Sequence, residues 1–461
     1  MHHLDDVITA IATPPGEGGI AVIRLSGEKS FRIADLCFRG KKPLSGVQSH
    51  TAHFGEFVNR LGEKIDDVIA TAFRSPHSYT GEDTVEISCH GGLYVARRIV
   101  ETLIDAGARQ AEPGEFTKRA FLNGRMDLSQ AEAVADLIHA QSESARRQSL
   151  SQLHGRLSHK VDELREKLLS ICSLLELELD FAEEGLSLVP QAKVAESLNN
   201  VSSQIDLMLN SYATGRLSRE GVSVVIVGEP NVGKSSIFNS LIDFDRSIVT
   251  PIAGTTRDSI EESITIGGVL FRLVDTAGIR TTADIVETEG IRRTYSEIEK
   301  ADLILFVRDS TRIDEEVFAR EIQELQCGDK KVIEVFNKFD LVGFQKTGVP
   351  LPMPGVTEIC VSAETGFGVK ELRDCLGRLV GLQNRSESGE GVMVTSHRHV
   401  QCLRMARAAI LSSLSSLENR AGNELISSDI RAAVNELEMI VGKVTSDDIL
   451  NHIFSSFCFG K

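Results

Sequence analysis

Tryptophan is absent from the 461 residues and tyrosine occurs only 4 times, which argues against a broad aromatic platform for stacking bases. The 8 cysteines include no CxxC pair, so neither a zinc ribbon nor a disulfide framework is expected, and the thiols read as reduced. No apolar run approaches bilayer-spanning length, and the opening MHHLDDVITAIATPPGEGG lacks a basic n-region. Neither a membrane span nor a secretory leader is therefore expected. Together these readings point to a cytoplasmic protein. Positive charge is also in deficit: 50 basic against 66 acidic side chains leave a formal charge of −16. A surface of that sign as a whole repels nucleic acid, so DNA is not an expected partner and any RNA must be met locally.

A chain this long should divide into several domains. The first 120 residues alternate short apolar runs with turns (GGIAVIRLSG, HTAHFGEFV, DDVIATAFRSP, DTVEISCHGG), and YVARRIVETLIDAG follows with helical spacing. The pattern predicts a compact α+β domain. From Asp127 the character changes, with no proline between Pro113 and Pro190. Leu150, Leu153, Leu157, Val161, Leu164, Leu168, Ile171 and Leu175 keep steps of three and four, which predicts one face of one long helix in a bundle. Near Gly221 strands and helices begin to alternate, as in a doubly wound sheet. After the polar linker QNRSESGEG the chain turns helical to its end. That last segment offers too little core alone and should pack with the helices of 127–215, making the α/β part an insertion. The expected fold class is multidomain α/β, divided as 1–120, 121–218, 219–380 and 381–461.

The inserted part carries nucleotide chemistry. VSVVIVGEPNVGKSS is an apolar strand running into Gly228, then Gly233, Lys234 and Ser235, then a helix. The loop over Asn231, Val232, Gly233, Lys234, Ser235 and Ser236 can cradle phosphates, with Lys234 reaching the β and γ oxygens and Ser235 a magnesium ion. Asp275, Thr276, Ala277 and Gly278 (DTAG) end a strand and bring a carboxylate toward the metal and an amide toward the γ-phosphate. Asn337, Lys338 and Asp340 of NKFD suit guanine, because Asp340 can accept from N1–H and the exocyclic amine together. Ser362, Ala363 and Glu364 (SAE) can close on the guanine carbonyl. Between the first two elements, Thr250, Pro251, Ile252, Ala253, Gly254, Thr255 and Thr256 form a candidate switch, with Thr256 as the second magnesium hydroxyl. These elements in this order predict a GTPase. The glutamine that often follows DxxG is missing: Ile279 stands there and cannot orient water. Asp284, Glu287 and Glu289 are the acids nearby, and the residues alone do not choose among them. His50 with His53, Cys89 with His90, and His397 with His399 lack zinc spacing and read as ordinary strand or surface residues.

Beyond the GTPase elements, ATPPGEGGIAVIRLSG, SYTGEDTVEISCHGG, PGEFTKRAFLNGRMDLSQAEAVADLI and the final CFGK are foreign to generic GTPases. With them the chain resembles the tRNA modification GTPases of the MnmE (TrmE) family over nearly its full length. The resemblance implies an N-terminal folate-binding and dimerising domain, a discontinuous helical domain and an inserted Ras-like P-loop G domain. It implies a homodimer whose GTP hydrolysis is stimulated by K+ held by Asn231, Thr250, Ile252 and Thr255, with Mg2+ at Ser235 and Thr256. It selects Glu287 as the acid that orients water. Arg24, Glu86, Arg125 and Lys461 become contacts to 5-formyltetrahydrofolate or a related tetrahydrofolate; lysine is more usual where Arg125 stands. The Cys-x-Gly-Lys tail would return to that site anchored by Phe454, Phe457 and Phe459, leaving Cys458 as a candidate reactive thiol. Phe459 replaces a more usual aliphatic residue. With an FAD-dependent partner of the GidA/MnmG type, in a heterotetramer, such an enzyme would install an aminomethyl or carboxymethylaminomethyl group on C5 of the wobble uridine of certain tRNAs. Two other readings compete. A ribosome-assembly GTPase predicts a basic RNA-binding appendage, which this acidic chain lacks. A lipid-anchored switch predicts a C-a-a-X box, which Gly460 and Lys461 do not make.

Overall fold

A computed structural model describes residues 6–180, 190–246, 261–275, 295–312, 330–342, 356–379, 392–455, 457 and 460. The chain forms two compact units: one of Met1–His139, Leu150–Asp206 and Arg398–Lys461, the other of Ala140–Ser149 and Leu207–His397.

The first unit opens with a seven-stranded sheet of β1 (Ile8–Ile11), β2 (Ile20–Ser26), β3 (Phe38–Gly40), β4 (Thr51–Val58), β5 (Lys64–Phe73), β6 (Thr84–His90) and β7 (Arg109–Gln110), in the order β3-β4-β5-β6-β2-β1-β7. Side chains alternate across a strand, so each contributes to two faces. One face packs Ile23, Leu25, Val68, Ala70, Val85 and Ile87 under α1 (Ser30–Cys37) and α2 (Leu93–Asp105). On the other face Arg24, Glu86 and Thr71 stand in register across three strands. Val22, Ser88, Ile69 and Phe54 form the neighbouring row, with Phe54 70% exposed.

Helices follow: α3 (Glu115–Leu122), α4 (Leu128–His139), α5 (Glu143–Leu153), α6 (Arg156–Asp180) and α7 (Gln191–Glu220). The leucine stripe predicted as one helix is divided between two. Gly155 takes a φ of +80°, outside helical geometry, so α5 stops at Leu153 and α6 begins at Arg156. Beyond the break the stripe holds, and Leu157, Val161, Leu164, Leu168, Ile171 and Leu175 are buried.

The second unit centres on β8 (Val222–Val227), α8 (Lys234–Arg246), β9 (Glu261–Ile266), β10 (Val269–Asp275), β11 (Leu303–Asp309), β12 (Lys331–Asn337), β13 (Val356–Cys360) and α9 (Val369–Leu379). The strands lie in the order β13-β12-β11-β8-β10-β9, parallel except for β9. The unbroken apolar run of β8 suits a central strand covered on both faces; Val222, Val224 and Ile226 join one core and Val225 and Val227 another.

The chain returns to the first unit through α10 (His397–Glu418), α11 (Asn423–Val441) and α12 (Asp447–Ser455). Helix α11 is tied to α6 by Arg165 to Glu438 at 2.5 Å and Lys443 to Asp162 at 2.6 Å. Arg398 and His399 both reach Glu132 of α4, at 2.8 Å each. Phe454 and Phe457 are buried in a cluster with Leu128, Ala131 and Leu450, flanked by Phe121. Gly114 lies beneath them with φ +68°, and a Cβ there would stand 2.5 Å from the Phe454 carbonyl. The last turn brings Gly460, φ +85°, against β1, where a Cβ would be 2.2 Å from the Ile11 carbonyl. Phe459, Cys458 and Lys461 lie outside the described residues.

Two stability predictions follow from this packing. Phe454→Ala removes a buried ring from the tail cluster and should cost about 3–5 kcal/mol, read as a lower urea midpoint for the first unit with GTP hydrolysis per folded chain retained. Burial pushes the Glu132 carboxyl up, but the adjoining His399 and Arg398 outweigh it and hold it at about 2. A depressed carboxylate stabilises the fold above its unfolded pKa of about 4.3 and loses that contribution as pH falls toward 2. Urea midpoints between about pH 4.5 and pH 2 should therefore fall less steeply in Glu132→Gln than in the parent chain.

Candidate functional site

Strand β8 is first in its sheet by sequence but lies mid-sheet, with β10 on one side and β11 on the other. Chain order thus reverses at its C-terminal end, where doubly wound sheets open a ligand crevice. The loop leaving it is built on backbone that only certain residues adopt. Gly228 has φ +143° and Gly233 φ +96°; a Cβ at the first would lie 2.1 Å from the Val307 carbonyl, and at the second 2.2 Å from Asn337 Nδ2. Asn231 between them is left-handed as well, at φ +65°, a conformation that asparagine tolerates better than most residues. Helix α8 starts at Lys234, so unsatisfied N–H groups and the positive end of its dipole face the crevice, an arrangement suited to phosphate.

The predicted side chains converge there. Lys234 Nζ donates to the carbonyls of Gly228 at 2.9 Å and Glu229 at 2.7 Å. Ser235 Oγ donates to Asp275 Oδ2 at 2.7 Å, pairing a hydroxyl with a carboxylate as a divalent-metal site requires. Asn337 is buried and bridges two loops: its Nδ2 donates to the Val232 carbonyl at 2.9 Å and its Oδ1 accepts from the Ala363 N–H at 3.1 Å. The Ser362 hydroxyl accepts from the Thr365 N–H at 3.2 Å, while Asp340 and Glu364 remain exposed. Phe339 and Phe367 stack at 5.8 Å beside them. A cavity of about 680 Å³ is lined by Ser236, Asn239, Asp243, Ala363, Glu364 and Thr365. Another, of about 460 Å³, has Asn231, Asp309, Arg312 and Lys338 on its wall.

One participant was not singled out from the sequence. Asp309, the last residue of β11, takes the Lys338 ammonium at 2.7 Å, and Lys338 also donates to the Asn231 carbonyl at 3.0 Å. Thr311 fixes the other carboxylate oxygen, through its N–H at 2.9 Å and its hydroxyl at 2.6 Å. Burial raises the Asp309 pKa, but the bonds from Lys338 and Thr311 dominate and hold it at about 2. The result is a rigid relay from Thr311 to the phosphate loop. An acid closing the apolar strand LILFVRD beside the switch point was the available signal.

In the first unit the structure brings Arg24 and Glu86 together, with Nε at 2.9 Å and Nη2 at 2.8 Å from the same Oε1. The guanidinium lies 4.9 Å from the Tyr79 ring and 5.5 Å from Phe116, two residues that sequence reasoning did not single out. Its Nη1 is buried without a hydrogen-bond partner among the described residues. Arg125 is exposed, and its side chain borders the same loop as Tyr79: a Cβ on Gly81 would lie 3.2 Å from Arg125 Cγ. Gly460 sits against Ile11, the residue after Ala10, which is the register partner of Arg24.

The remaining predicted residues, Thr250, Pro251, Ile252, Ala253, Gly254, Thr255, Thr256, Thr276, Ala277, Gly278, Glu287, Cys458 and Lys461, lie outside the described residues. The histidines are engaged locally, His53 with Thr51 at 2.7 Å and His90 with Asp66 at 2.7 Å. Among the described residues no group of three or more His, Cys, Asp or Glu side chains is placed to hold a metal ion, and no helix is long and apolar enough to cross a membrane.

Comparison with known proteins covers almost the whole chain. A family described as the MnmE helical domain matches residues 128–458, and one described as the GTP-binding protein TrmE N-terminus matches 7–125. A tRNA modification GTPase MnmE from Acetivibrio thermocellus is 41% identical over 459 residues, 99% of each chain. The protein of that name from Chlorobium phaeobacteroides is 44% identical over 468 residues, 99% of this chain and 97% of that one. Among solved structures, an Era variant from Aquifex aeolicus bound to GDP and AlF4− is 29% identical over 41% of this chain and 67% of that one, with a TM-score of 0.27, too low to argue from.

The relay through Lys338 generates a prediction. Asp309→Ala should speed release of a fluorescent GDP analogue about tenfold, the worth of one charge-assisted hydrogen bond, with Asp309→Asn intermediate. If Asp309 acts through Lys338, adding Asp309→Ala to Lys338→Met should leave the release rate of Lys338→Met unchanged. Additive effects in stopped-flow traces would refute the relay.

Proposed function

The chain belongs to the MnmE family of tRNA modification GTPases, and on that premise we propose that it couples GTP hydrolysis to modification of the wobble uridine of certain tRNAs. The observation that carries this reading is the family match over nearly all of the chain. It spans the sheet that bears Arg24 as well as the phosphate loop, whereas a generic GTPase would share only the latter. With an FAD-dependent partner, the homodimer would add an aminomethyl or carboxymethylaminomethyl group at C5. A ribosome-assembly role has no comparable observation in its favour.

In the proposed chemistry the loop from Asn231 to Ser236 cradles the phosphates and Lys234 neutralises charge on the β and γ oxygens. Asp340 accepts from guanine N1–H and its amine, and the Ser362–Glu364 loop closes on the carbonyl. Glu287 orients the attacking water, which Ile279 cannot do. Water oxygen bonds to the γ-phosphorus as the bridge to GDP breaks, and the water proton leaves with phosphate. Ser235, Asp275 and Thr256 would hold Mg2+, which supplies charge neutralisation across the phosphates; the Ser235–Asp275 pair at 2.7 Å fits that donor set. Asn231, Thr250, Ile252 and Thr255 would hold K+, which supplies fixed positive charge beside the reacting phosphate.

The N-terminal site fits a tetrahydrofolate. Arg24 has a buried donor to spare, and Glu86 can accept from a pteridine edge. Arg125 and Lys461 suit the glutamate tail of such a ligand, which supplies the one-carbon unit. Cys458, which follows the buried Phe454 and Phe457 in sequence, is proposed as the reactive thiol.

The test is nucleoside mass spectrometry of tRNA from cells lacking the chain and complemented with the parent, Glu287→Ala or Cys458→Ser. The expected outcome is that only the parent restores the C5-modified wobble uridine. An unmodified pool with the parent present would overturn the tRNA assignment. With purified protein, replacing K+ by Na+ should lower GTP turnover about tenfold or more, and Glu287→Ala should lower it in either salt.

A further inference from the structure

The acidic balance of the chain is not evenly spread. Residues 29–42 hold Lys29, Arg32, Arg39, Lys41 and Lys42 against the single acid Asp35. Lys29, Arg32 and Leu36 follow one another at helical spacing along the exposed side of α1, whose other side buries Phe31, Ile33, Ala34 and Cys37. Arg39 prolongs that stripe, its Nη1 reaching the Asp35 carbonyl at 3.1 Å and that of Phe38 at 3.2 Å. Arg60, at the β4–β5 turn, joins it. The β3–β4 register sets Phe38 opposite Phe57, so the turn that carries Arg60 lies beside the end of α1. The flank is open because β3 is the edge strand of its sheet.

These cations also have no ion-pair partner among the described residues. The Asp35 carboxylate accepts from the N–H groups of Leu44 at 2.5 Å and Ser45 at 3.1 Å. Glu28, just before the stripe, forms no ion pair with it among the described residues, nor does any other carboxylate pair with Lys29, Arg32, Lys41, Lys42 or Arg60. All five are exposed. Other exposed cations of this unit are paired only in part: Lys167 takes Glu163, Arg431 takes Glu176 and Lys443 takes Asp162, whereas Arg97, Arg156, Lys193 and Arg404, each on a different helix, are exposed without an ion pair among the described residues. Lysine at the end of an edge strand discourages sheet-to-sheet pairing, a role open to Lys41 and Lys42 just past β3. It does not account for Lys29 and Arg32 on a helix or for Arg60 at a turn.

We propose that this flank, formed by α1, β3 and the β4–β5 turn, docks the phosphate backbone of tRNA. The proposal rests on the tRNA reading above and adds to it the surface that meets the substrate. Clustered cations on a chain of net negative charge give a polyanion a local place to dock. Leu36 and Leu61, 57% and 83% exposed, accompany the cations without an aromatic base-stacking residue. The flank therefore positions the RNA and leaves base recognition to the reaction site.

The experiment measures binding of a labelled tRNA transcript with a wobble uridine to the full-length chain by fluorescence anisotropy, between about 50 and 200 mM KCl. Two charge-reversal variants are compared with the parent: Arg32→Glu with Arg60→Glu, and Lys41→Glu with Lys42→Glu. None of these residues belongs to the nucleotide site, and a urea midpoint of the first unit equal to the parent's reports an intact fold. Affinity should drop at least about tenfold, and the slope of log K against log salt should shallow by about one for each phosphate that is no longer neutralised. Unchanged affinity and slope in both variants overturn the proposal, as does a parent chain without salt-dependent binding. Retained tRNA binding with loss of a protein partner would make the flank a protein interface and overturn it equally. Wobble-uridine content in complemented cells separates the two levels: a parent that restores the modification while the variants bind tRNA normally defeats the flank alone, and a parent that restores nothing defeats the tRNA reading.

Discussion

The nucleotide site depends on one buried amide. Asn337 lends its Nδ2 to the Val232 carbonyl and its Oδ1 to the Ala363 N–H, so one side chain holds the phosphate loop and the SAE loop in fixed relation. The bond to Val232 forces the amide against Gly233, where it leaves no volume for a Cβ. Ser310 adds to the same joint by donating to the Asn337 carbonyl through its N–H at 2.9 Å and its hydroxyl at 2.6 Å. A buried amide left half-satisfied would cost about 1–3 kcal/mol, so these loops are registered together or not at all. Phosphate and base recognition share that register.

The first unit has a different constraint, since it must gather segments from both ends of the chain. Glu132 meets Arg398, Arg165 meets Glu438, and Phe454 packs beside Phe121 and Leu128. Loop-closure entropy grows only logarithmically, each doubling of length adding about 0.6 kcal/mol. A second unit of that size between Leu207 and His397 is therefore thermodynamically tolerable. Its cost falls on kinetics, because contacts so distant in sequence form late.

The sequence made some of this architecture legible and hid the rest for physical reasons. The phosphate loop and guanine elements were readable because their chemistry is local: each is a short run whose spacing is its geometry. The helical stripe from Leu150 was readable as a buried face but not as two helices, because periodicity survives a single residue at positive φ and Gly155 alone marks the break. Asp309 was legible only as the end of a strand, since its partner Lys338 comes from a different strand end. Arg24 and Glu86 were named only through the resemblance; their pairing depends on register, which alternation within one strand does not determine. Phe454 and Phe457 were recognisable as needing burial, whereas the cluster that buries them required the fold.

The Arg24 pair is more than strand pairing alone requires. Two of the arginine donors converge on one oxygen, Glu86 Oε1, although a guanidinium fork matches both oxygens of a carboxylate at no extra cost. Nη1, outside the Nε–Nη2 edge that meets Glu86, is buried and unmatched among the described residues, while Tyr79 and Phe116 lie against the group. Cation–π contact contributes about 0.5–2 kcal/mol and offers no acceptor for that N–H. An apolar pair of similar volume would hold the two strands at least as well, since partly buried ion pairs contribute little net stability. On the face of the sheet opposite α1 and α2, the pair thus keeps one arginine donor uncommitted among the described residues.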